Sequence, residues 1–307
     1  SFTSLTAEDG TITFSDQKPE CVRSITIEPK HNQPVADAVL NVNTGNGLKE
    51  VTMLGIDRSN DNTNVGFDPY APIVVSLPEV CGSEFVLKVK PDVVENAILS
   101  DKPAVESYPE KSLAKMWQTP HPMWDAYMWR NQPKYPETRN IVADEVIDIS
   151  GCMEANGTLT WDVPAGKWVV FRSAMLPTGT TCSPAPSEGT GLEIDKMSEE
   201  HIRFHFDKYV GEILRRIPAE DRKTFKFVIE DSYETGGQNW TDNLIADFIA
   251  TYGYDPTPYI PVMSGEVVGS QDISDRFLWD LRRLIADEVA IKYVGGLRRI
   301  SNEHGLT

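Results

Sequence analysis

The stretch from Phe225 to Trp240, FKFVIEDSYETGGQNW, constrains the fold of this chain more than any other segment. It begins with an apolar run of β-branched and aromatic residues, which is typical of a buried strand. Gly236 and Gly237 then predict a turn, and Thr241 is a candidate N-cap for an amphipathic helix. Three acids lie between the strand and the turn: Glu230, Asp231 and Glu234. Acids at the carboxyl end of a strand that leads into a helix lie where (β/α) barrels place catalytic groups.

The side chains that follow these acids favour a carbohydrate site. The ring of Trp240 can pack on the apolar face of a sugar, and the amides of Gln238 and Asn239 can bind hydroxyl groups. A nearby carboxyl group can handle the oxygen of a glycosidic bond.

Composition restricts the partners. The chain has 307 residues and a net charge of −17, so no excess of Lys and Arg is left to neutralise phosphates. This argues against nucleic acid and against an anionic membrane surface as partners, although solubility alone would also explain the charge. There is no run of 18 apolar residues, so no membrane span is expected.

Residues 1–100 are predicted to form a jelly-roll-like β-sandwich, because short apolar or alternating runs recur between turn-prone segments. The predicted strands are Thr11–Phe14, Val22–Ile27, Ala38–Val42, Glu50–Leu54, Ile73–Leu77 and Glu84–Val89. Such a domain could be a carbohydrate-binding accessory module or a structural spacer, and fold alone does not choose between them.

Residues 101–140 form a connector rich in proline and aromatic residues. Its aromatics are predicted to pack on the next domain, with an exposed binding wall as the alternative; they include Tyr108, Trp117, Trp124, Tyr127 and Trp129.

The four cysteines form no CxxC pair, so a structural zinc site is not expected. Cys21 and Cys81 could bridge two strands in an oxidising compartment, or both could be buried free thiols.

Residues 141–307 are predicted to form part of a (β/α) barrel. Strands are predicted at Glu145–Ser150, Thr158–Trp161 and Lys167–Ala174, followed by a helix with Ser198 as its N-cap. A further helix is predicted from about Ser274 to Tyr293, with Gly295-Gly296 ending or kinking it. A full barrel needs about 250 residues, so we expect the chain to be a piece of a larger enzyme, cut at both ends.

The loop Ser183–Lys196 concentrates Glu188, Glu193 and Asp195 among prolines and glycines. Carboxylates and backbone carbonyls are ligands for a hard cation such as Ca²⁺, although the spacing is not that of an EF-hand. The alternative is a rigid surface loop whose acids cap the next helix.

Four segments together resemble glycoside hydrolase family 106, whose known members are α-L-rhamnosidases. They are SPAPSEGTGLEIDKMS at Ser183–Ser198, DSYETGGQNW at Asp231–Trp240, YGYDPTPYIPVMSGEVVGS at Tyr252–Ser270 and SDRFLWDLRR at Ser274–Arg283. The resemblance implies an inverting hydrolase with a (β/α)8 (TIM-type) barrel, accessory β-sandwiches and a calcium ion that holds rhamnose hydroxyls.

The resemblance also implies roles for individual residues. Glu234 matches the position of the general acid, with Asp231 and Glu230 as supporting candidates. The other carboxylate of an inverting pair is expected beyond Thr307, which makes activity of the isolated chain doubtful. Substrate-binding roles are expected for Glu188, Glu193, Tyr233, Asn239 and Trp240; the metal ligands are not assigned.

These residues predict release of terminal α-L-rhamnose from plant polysaccharides or related glycans. Two alternatives are a non-catalytic carbohydrate-binding fragment and a barrel glycosidase with another sugar specificity. The substrate class implies a secreted or periplasmic protein.

Overall fold

The computed structural model describes residues 2–59, 71–112, 132–136, 140–182, 184–230 and 237–307. The chain divides into two compact units. The first contains Ser1–Thr63, Phe67–Ala174 and Asp255–Trp279, and the second contains Asn64–Gly66, Met175–Tyr254 and Asp280–Thr307.

The first unit is built on a six-stranded antiparallel sheet with the strand order β1-β2-β5-β3-β4, in which β6 also pairs with β2. Its strands are β1 (Thr3–Thr6), β2 (Ile12–Pro29), β3 (Val35–Asn43), β4 (Leu48–Asp57), β5 (Ile73–Lys88) and β6 (Val94–Ser100). The strands bury one face in a common apolar core that includes Phe14, Ile25, Leu40, Leu77 and Phe85. This burial is the main force that holds the sheet together.

The predicted strands of residues 1–100 are present, but four of them are halves of two long strands. β2 contains the predicted strand Val22–Ile27 and all of the predicted strand Thr11–Phe14 except Thr11. The pairing of β2 with β5 shifts register twice. Register shifts mark β-bulges or other irregularities of pairing, at which one strand can bend without ending. The polar run between the two apolar halves therefore does not mark a turn.

Cys21 and Cys81 lie opposite each other on β2 and β5 and form a disulfide. Their Cα atoms are 3.9 Å apart. Cys21 is half-buried and Cys81 is exposed, so the alternative of two buried free thiols is wrong. The bond joins the two central strands of the sheet at the point where their register changes.

Part of the predicted connector packs within the first unit. Helix α1 (Tyr108–Lys111) places the almost fully buried Lys111 against Asp275, with 2.6 Å between Nζ and Oδ1. The ring of Tyr108 lies against Gly265, where a Cβ atom would come within 2.6 Å of it. The predicted packing of Trp117, Trp124, Tyr127 and Trp129 lies outside the described residues.

The three strands predicted between Glu145 and Ala174 are wrong. In their place lie two 3₁₀ turns, Ala143–Glu145 and Ser150–Cys152, and an isolated bridge between Met153 and Leu159. Val169, Val170 and Phe171 are exposed. A strand needs a partner for its backbone groups, and the described residues offer this segment no ladder to join. Apolar alternation therefore gave a false strand signal here.

Helix α2 (Glu199–Arg216) of the second unit begins where the sequence predicts. The Ser198 side chain accepts a hydrogen bond from the His201 amide at 3.4 Å, so Ser198 is the N-cap. Ile202, Phe206 and Val210 form its buried stripe. The buried residues of this core also include Ile300 and Leu306.

Helix α3 (Leu244–Tyr252) starts later than predicted, because its N-cap is Asn243. Thr241 is not the cap. Helix α4 (Gln271–Glu288) continues through a π-helical segment, Val289–Val294, into helix α5 (Gly295–Glu303). The Gly295-Gly296 pair does not end the helix, since Gly295 has the helical angles φ −63° and ψ −39°.

The run from Phe225 to Ile229 is not the buried strand that the sequence predicts: Phe225 and Val228 are half-buried against the core of helix α2, and the other side chains are exposed. Phe227 is 57 % exposed and Ile229 is 76 % exposed. The Val228 amide donates to the Thr307 carbonyl at 2.9 Å, and the Thr307 amide donates to Lys226 at 3.0 Å, which is a parallel pairing pattern. A parallel strand is buried only when strands and helices cover both faces, and this run has one parallel partner among the described residues.

The observed architecture is therefore an antiparallel sheet followed by helices, as the β plus α prediction requires. Two parallel contacts, the bridge between Ile141 and Val268 and the pairing at Thr307, are compatible with a (β/α) barrel. The barrel itself stays a prediction. No helix in the described part of the chain is long and apolar enough to cross a membrane.

Candidate functional site

The predicted catalytic segment is flanked by described residues on both sides. The described residues on the two sides are Glu230 and Gly237. The predicted general acid Glu234, its supporting candidate Asp231 and the predicted sugar-binding residue Tyr233 lie outside the described residues. Their roles stay predictions. The geometry that follows is that of the described residues around them.

The carboxyl group of Glu230 lies in an environment that favours its neutral form. Desolvation raises the pKa of Glu230, and the nearby positive charge of Lys196 partly opposes this. Glu230 is exposed at its surface, so this desolvation is partial and does not by itself make the residue a general acid. Glu230 remains a supporting candidate beside Glu234.

Lys196 is the buried cation of the site, with 6 % of its surface exposed. Its Nζ atom lies 2.6 Å from Glu193 Oε2 and 4.7 Å from the centre of the Tyr293 ring. Burial of a lysine is costly unless a carboxylate or an aromatic face compensates for lost water. The predicted sugar-binding residue Glu193 thus makes an ion pair within the protein.

The acid-rich loop folds back on itself as a short hairpin. Thr181 and Leu192 form an antiparallel bridge, and Glu188 lies at the exposed tip in a 3₁₀ turn, Ser187–Gly189. Its own backbone amide, and then Ser187, lower the pKa of Glu188 by hydrogen bonding. Glu188 and Glu193 are therefore held apart, at the tip and at the base of the hairpin.

Asp195 is the most heavily hydrogen-bonded acid of this loop. Its Oδ1 atom accepts from the Met197 amide at 2.8 Å and from Gln238 Nε2. Its Oδ2 atom accepts from Thr241 Oγ1 at 2.6 Å. Asn239 and Trp240, both predicted to bind sugar, are half-buried between these two contacts.

The three loop acids do not converge as ligands for calcium. Asp195 uses both oxygens on protein donors, Glu193 is paired with Lys196, and Glu188 is at the tip. Among the described residues, the one group of three ligand atoms close enough for an ion is Cys21, Glu79 and Cys81, of which the two cysteines form the disulfide. The loop by itself therefore does not fit a calcium ion.

A second cluster of charged side chains, Lys292 with Asp247 and Glu288, lies in the same unit. Lys292 Nζ is 2.8 Å from Asp247 Oδ2 and also meets Glu288. Burial raises the pKa of Glu288, and hydrogen bonding to Lys292 lowers it in part. Sequence reasoning missed this group and the role of Gln238. The i,i+4 spacing of Glu288 and Lys292 was the one available signal.

Comparison with known proteins gives a consistent picture. The family model for alpha-L-rhamnosidase, glycoside hydrolase family 106, matches residues 8–307. The solved structure of a rhamnosidase from Novosphingobium sp. PP1Y is 25 % identical, with a TM-score of 0.75, and the match covers 98 % of this chain and 28 % of that one.

A curated protein described as “Putative beta-glucuronidase”, from Formosa agariphila, is 36 % identical over 171 residues. That match covers 56 % of this chain and 15 % of the relative, so the chain spans well under a third of either protein's length. Because the family model covers nearly every residue, the chain belongs to the alpha-L-rhamnosidase family of glycoside hydrolases, family 106.

Proposed function

We propose that the protein to which this chain belongs hydrolyses terminal α-L-rhamnosides with inversion at the anomeric carbon. The observation that carries the proposal is the family match over residues 8–307, which includes the acid-rich segment Glu230–Glu234. Glu234 is proposed as the general acid that protonates the leaving oxygen, with Asp231 and Glu230 supporting it.

The test of the catalytic role is rhamnose release from an aryl α-L-rhamnoside. In the full-length protein, Glu234→Gln should lower kcat by about 10²-fold or more while sugar binding persists, because the amide cannot donate an acidic proton. Glu230→Gln should cause a smaller loss. Glu200→Gln, an exposed substitution on helix α2, is the matched control. Turnover of Glu234→Gln equal to that of the control would remove Glu234 from the mechanism.

The stereochemical part of the proposal has its own readout. Inversion uses two carboxyl groups about 6.5–9.5 Å apart and delivers water to the opposite face of the sugar. Proton NMR during early turnover should therefore show the β anomer of rhamnose first. Initial release of the α anomer would mean retention, and it would replace the inverting mechanism with a covalent one.

A second sugar specificity is favoured by one comparison, since the curated relative is described as a β-glucuronidase. An aryl β-D-glucuronide belongs in the same screen. A higher kcat/KM on the glucuronide than on the rhamnoside would show that the enzyme is a glucuronidase and not a rhamnosidase. Binding of either sugar without turnover by the full-length protein would support a non-catalytic carbohydrate-binding role instead.

A calcium requirement is also proposed, with its ligands unassigned. Exhaustive chelation should lower kcat/KM, and added Ca²⁺ should restore it. Full activity after chelation would end this proposal. A secreted or periplasmic location is supported by the Cys21–Cys81 disulfide, since such bonds persist in oxidising compartments.

A further inference from the structure

Asp195 connects two parts of the second unit that are far apart in sequence. Its side chain accepts hydrogen bonds from Gln238 and Thr241, which are 43 and 46 positions away. Thr241 is only 3 % exposed, so its hydroxyl is desolvated and depends on this acceptor. The two contacts hold both ends of the four-residue segment that begins at Gln238.

The acceptor is itself fixed in place. The Met197 amide donates to Asp195 Oδ1 at 2.8 Å, and the Lys196 amide donates to Gln238 Oε1 at 3.1 Å. The amide group of Gln238 thus bonds to two consecutive residues, accepting from one and donating to the other. Such reciprocal bonds leave the Gln238 side chain little freedom to rotate.

Asn239 and Trp240 lie between the two held residues. We propose that Asp195 is a positioning residue of the carbohydrate site, which acts through Gln238 and Thr241 to hold Asn239 and Trp240 for substrate binding. This inference rests on the proposed function for the identity of the substrate. It assigns Asp195 a role in hydrogen bonding, and neither a catalytic nor a metal-binding one.

An asparagine at this position can retain the hydrogen bonds without the charge. Its carbonyl oxygen can accept from Met197 and Gln238, as Oδ1 does now, while its NH₂ group donates to the oxygen of Thr241. An alanine removes all three bonds. Comparing the two substitutions therefore separates hydrogen bonding from charge, and a metal ligand would need the charge.

The experiment measures KM and kcat for an aryl α-L-rhamnoside with the full-length protein. Asp195→Ala should raise KM about tenfold or more with a smaller change in kcat, since losing bonds to a charged acceptor is worth at least about a factor of ten. Asp195→Asn should restore most of the affinity. Asp272→Ala, which removes an exposed i,i+4 ion pair with Arg276, is the matched control.

Thr241→Val is the milder variant, because it removes one bond and keeps the shape of the side chain. It should raise KM less than Asp195→Ala does, and combining the two changes should add little to Asp195→Ala alone. If Asp195→Asn proves as damaging as Asp195→Ala, charge is what matters and the proposal is overturned.

Amide hydrogen exchange provides a readout that does not need activity. Exchange at residues 237–241 should be faster in Asp195→Ala than in the wild type, and it should match the wild type in Asp195→Asn. If the wild type cleaves no rhamnoside, the proposed function fails, and the exchange rates still decide whether Asp195 holds this segment. Unchanged exchange in Asp195→Ala would overturn the positioning role.

Discussion

The two lysines that are buried in the described part of the chain each have a carboxylate as partner. Lys111 meets Asp275 and Lys196 meets Glu193, each at 2.6 Å. Removing one partner would leave a desolvated charge, which typically destabilises a protein by about 3–5 kcal/mol. Residues of this kind tolerate substitution poorly even when they do not touch substrate.

The single residue Glu110 gives a prediction for how the stability of the fold depends on pH. It is mostly buried, and desolvation raises its pKa above the ordinary value of 4.5, with Arg58 and Lys111 lowering it in part. Between the unfolded and the raised folded pKa, the folded chain holds a proton that the unfolded chain has lost. The contribution of Glu110 to stability therefore grows as pH falls through the folded pKa toward 4.5.

Glu110→Gln cannot titrate, so it should lack this gain. Urea unfolding at several pH values between 7 and 4.5 should show the difference in unfolding free energy, wild type minus Glu110→Gln, increasing as pH falls. Glu145→Gln, at an exposed position, is the control and should follow the wild type. Parallel curves for wild type and Glu110→Gln would contradict the raised pKa.

Single residues show where sequence reasoning works and where it stops. The acids of the loop are visible in the sequence, but the option that they cap the next helix is wrong for Asp195, which accepts from the Met197 amide ahead of the helix, while the N-cap is Ser198. The contact to Thr241 could not be predicted, because it joins positions 46 apart. Periodicity carries information about neighbours along the chain, and contacts of this range follow from the fold.

Helix α2 shows how well a local pattern can specify an element. The Ser198 cap and the first-turn acids Glu199 and Glu200 indicate where the helix starts, and apolar residues at helical spacing indicate its buried face. Of those apolar residues Ile202, Phe206 and Val210 are buried, whereas Tyr209 is 64 % exposed. Nothing outside the segment is needed to define it. The false strands after Glu145 are the opposite case, since a strand exists only with a partner.

Two phenylalanines on helix α2 test which face of the helix is buried. Phe206→Ala should lower the unfolding free energy by about 3–5 kcal/mol, because the ring is 1 % exposed and lies 5.4 Å from the His304 ring between centroids. Phe204→Ala should change it by less than about 0.5 kcal/mol, since that ring is 62 % exposed. Denaturant titration compares them. Equal effects would show that the face of the helix is assigned wrongly.

At the scale of the whole molecule, the class of fold was predictable and the details of the sheet were not. Strand-like runs before residue 100 and helical patterns after residue 198 correctly separate a β part from a helical part. The strand order of the sheet, β1-β2-β5-β3-β4, could not be predicted from the sequence, because β2 and β5 pair across about sixty residues. Bulges also let two predicted strands become one.

The disulfide is predicted to stabilise the sheet. Replacing both Cys21 and Cys81 with alanine should lower the unfolding free energy by about 2–4 kcal/mol, because the bond closes a long loop in the unfolded chain. Cys152→Ala, at a half-buried free thiol, is the control and should cost about 1 kcal/mol or less. Equal unfolding midpoints with and without reductant would contradict the prediction.

The pairing of β2 with β5 also governs the order of events during synthesis. Cys21 leaves the ribosome 60 positions ahead of Cys81, a delay of several seconds at roughly 5–20 residues per second. Throughout that interval β2 lacks β5 as a partner strand, although β1 has already been made, and the Cys21 thiol is open to oxidants and to other cysteines. Cys152 and Cys182 emerge later still, so Cys81 is the first of these three cysteines that Cys21 can meet. The direction of translation thus works in favour of the native bond.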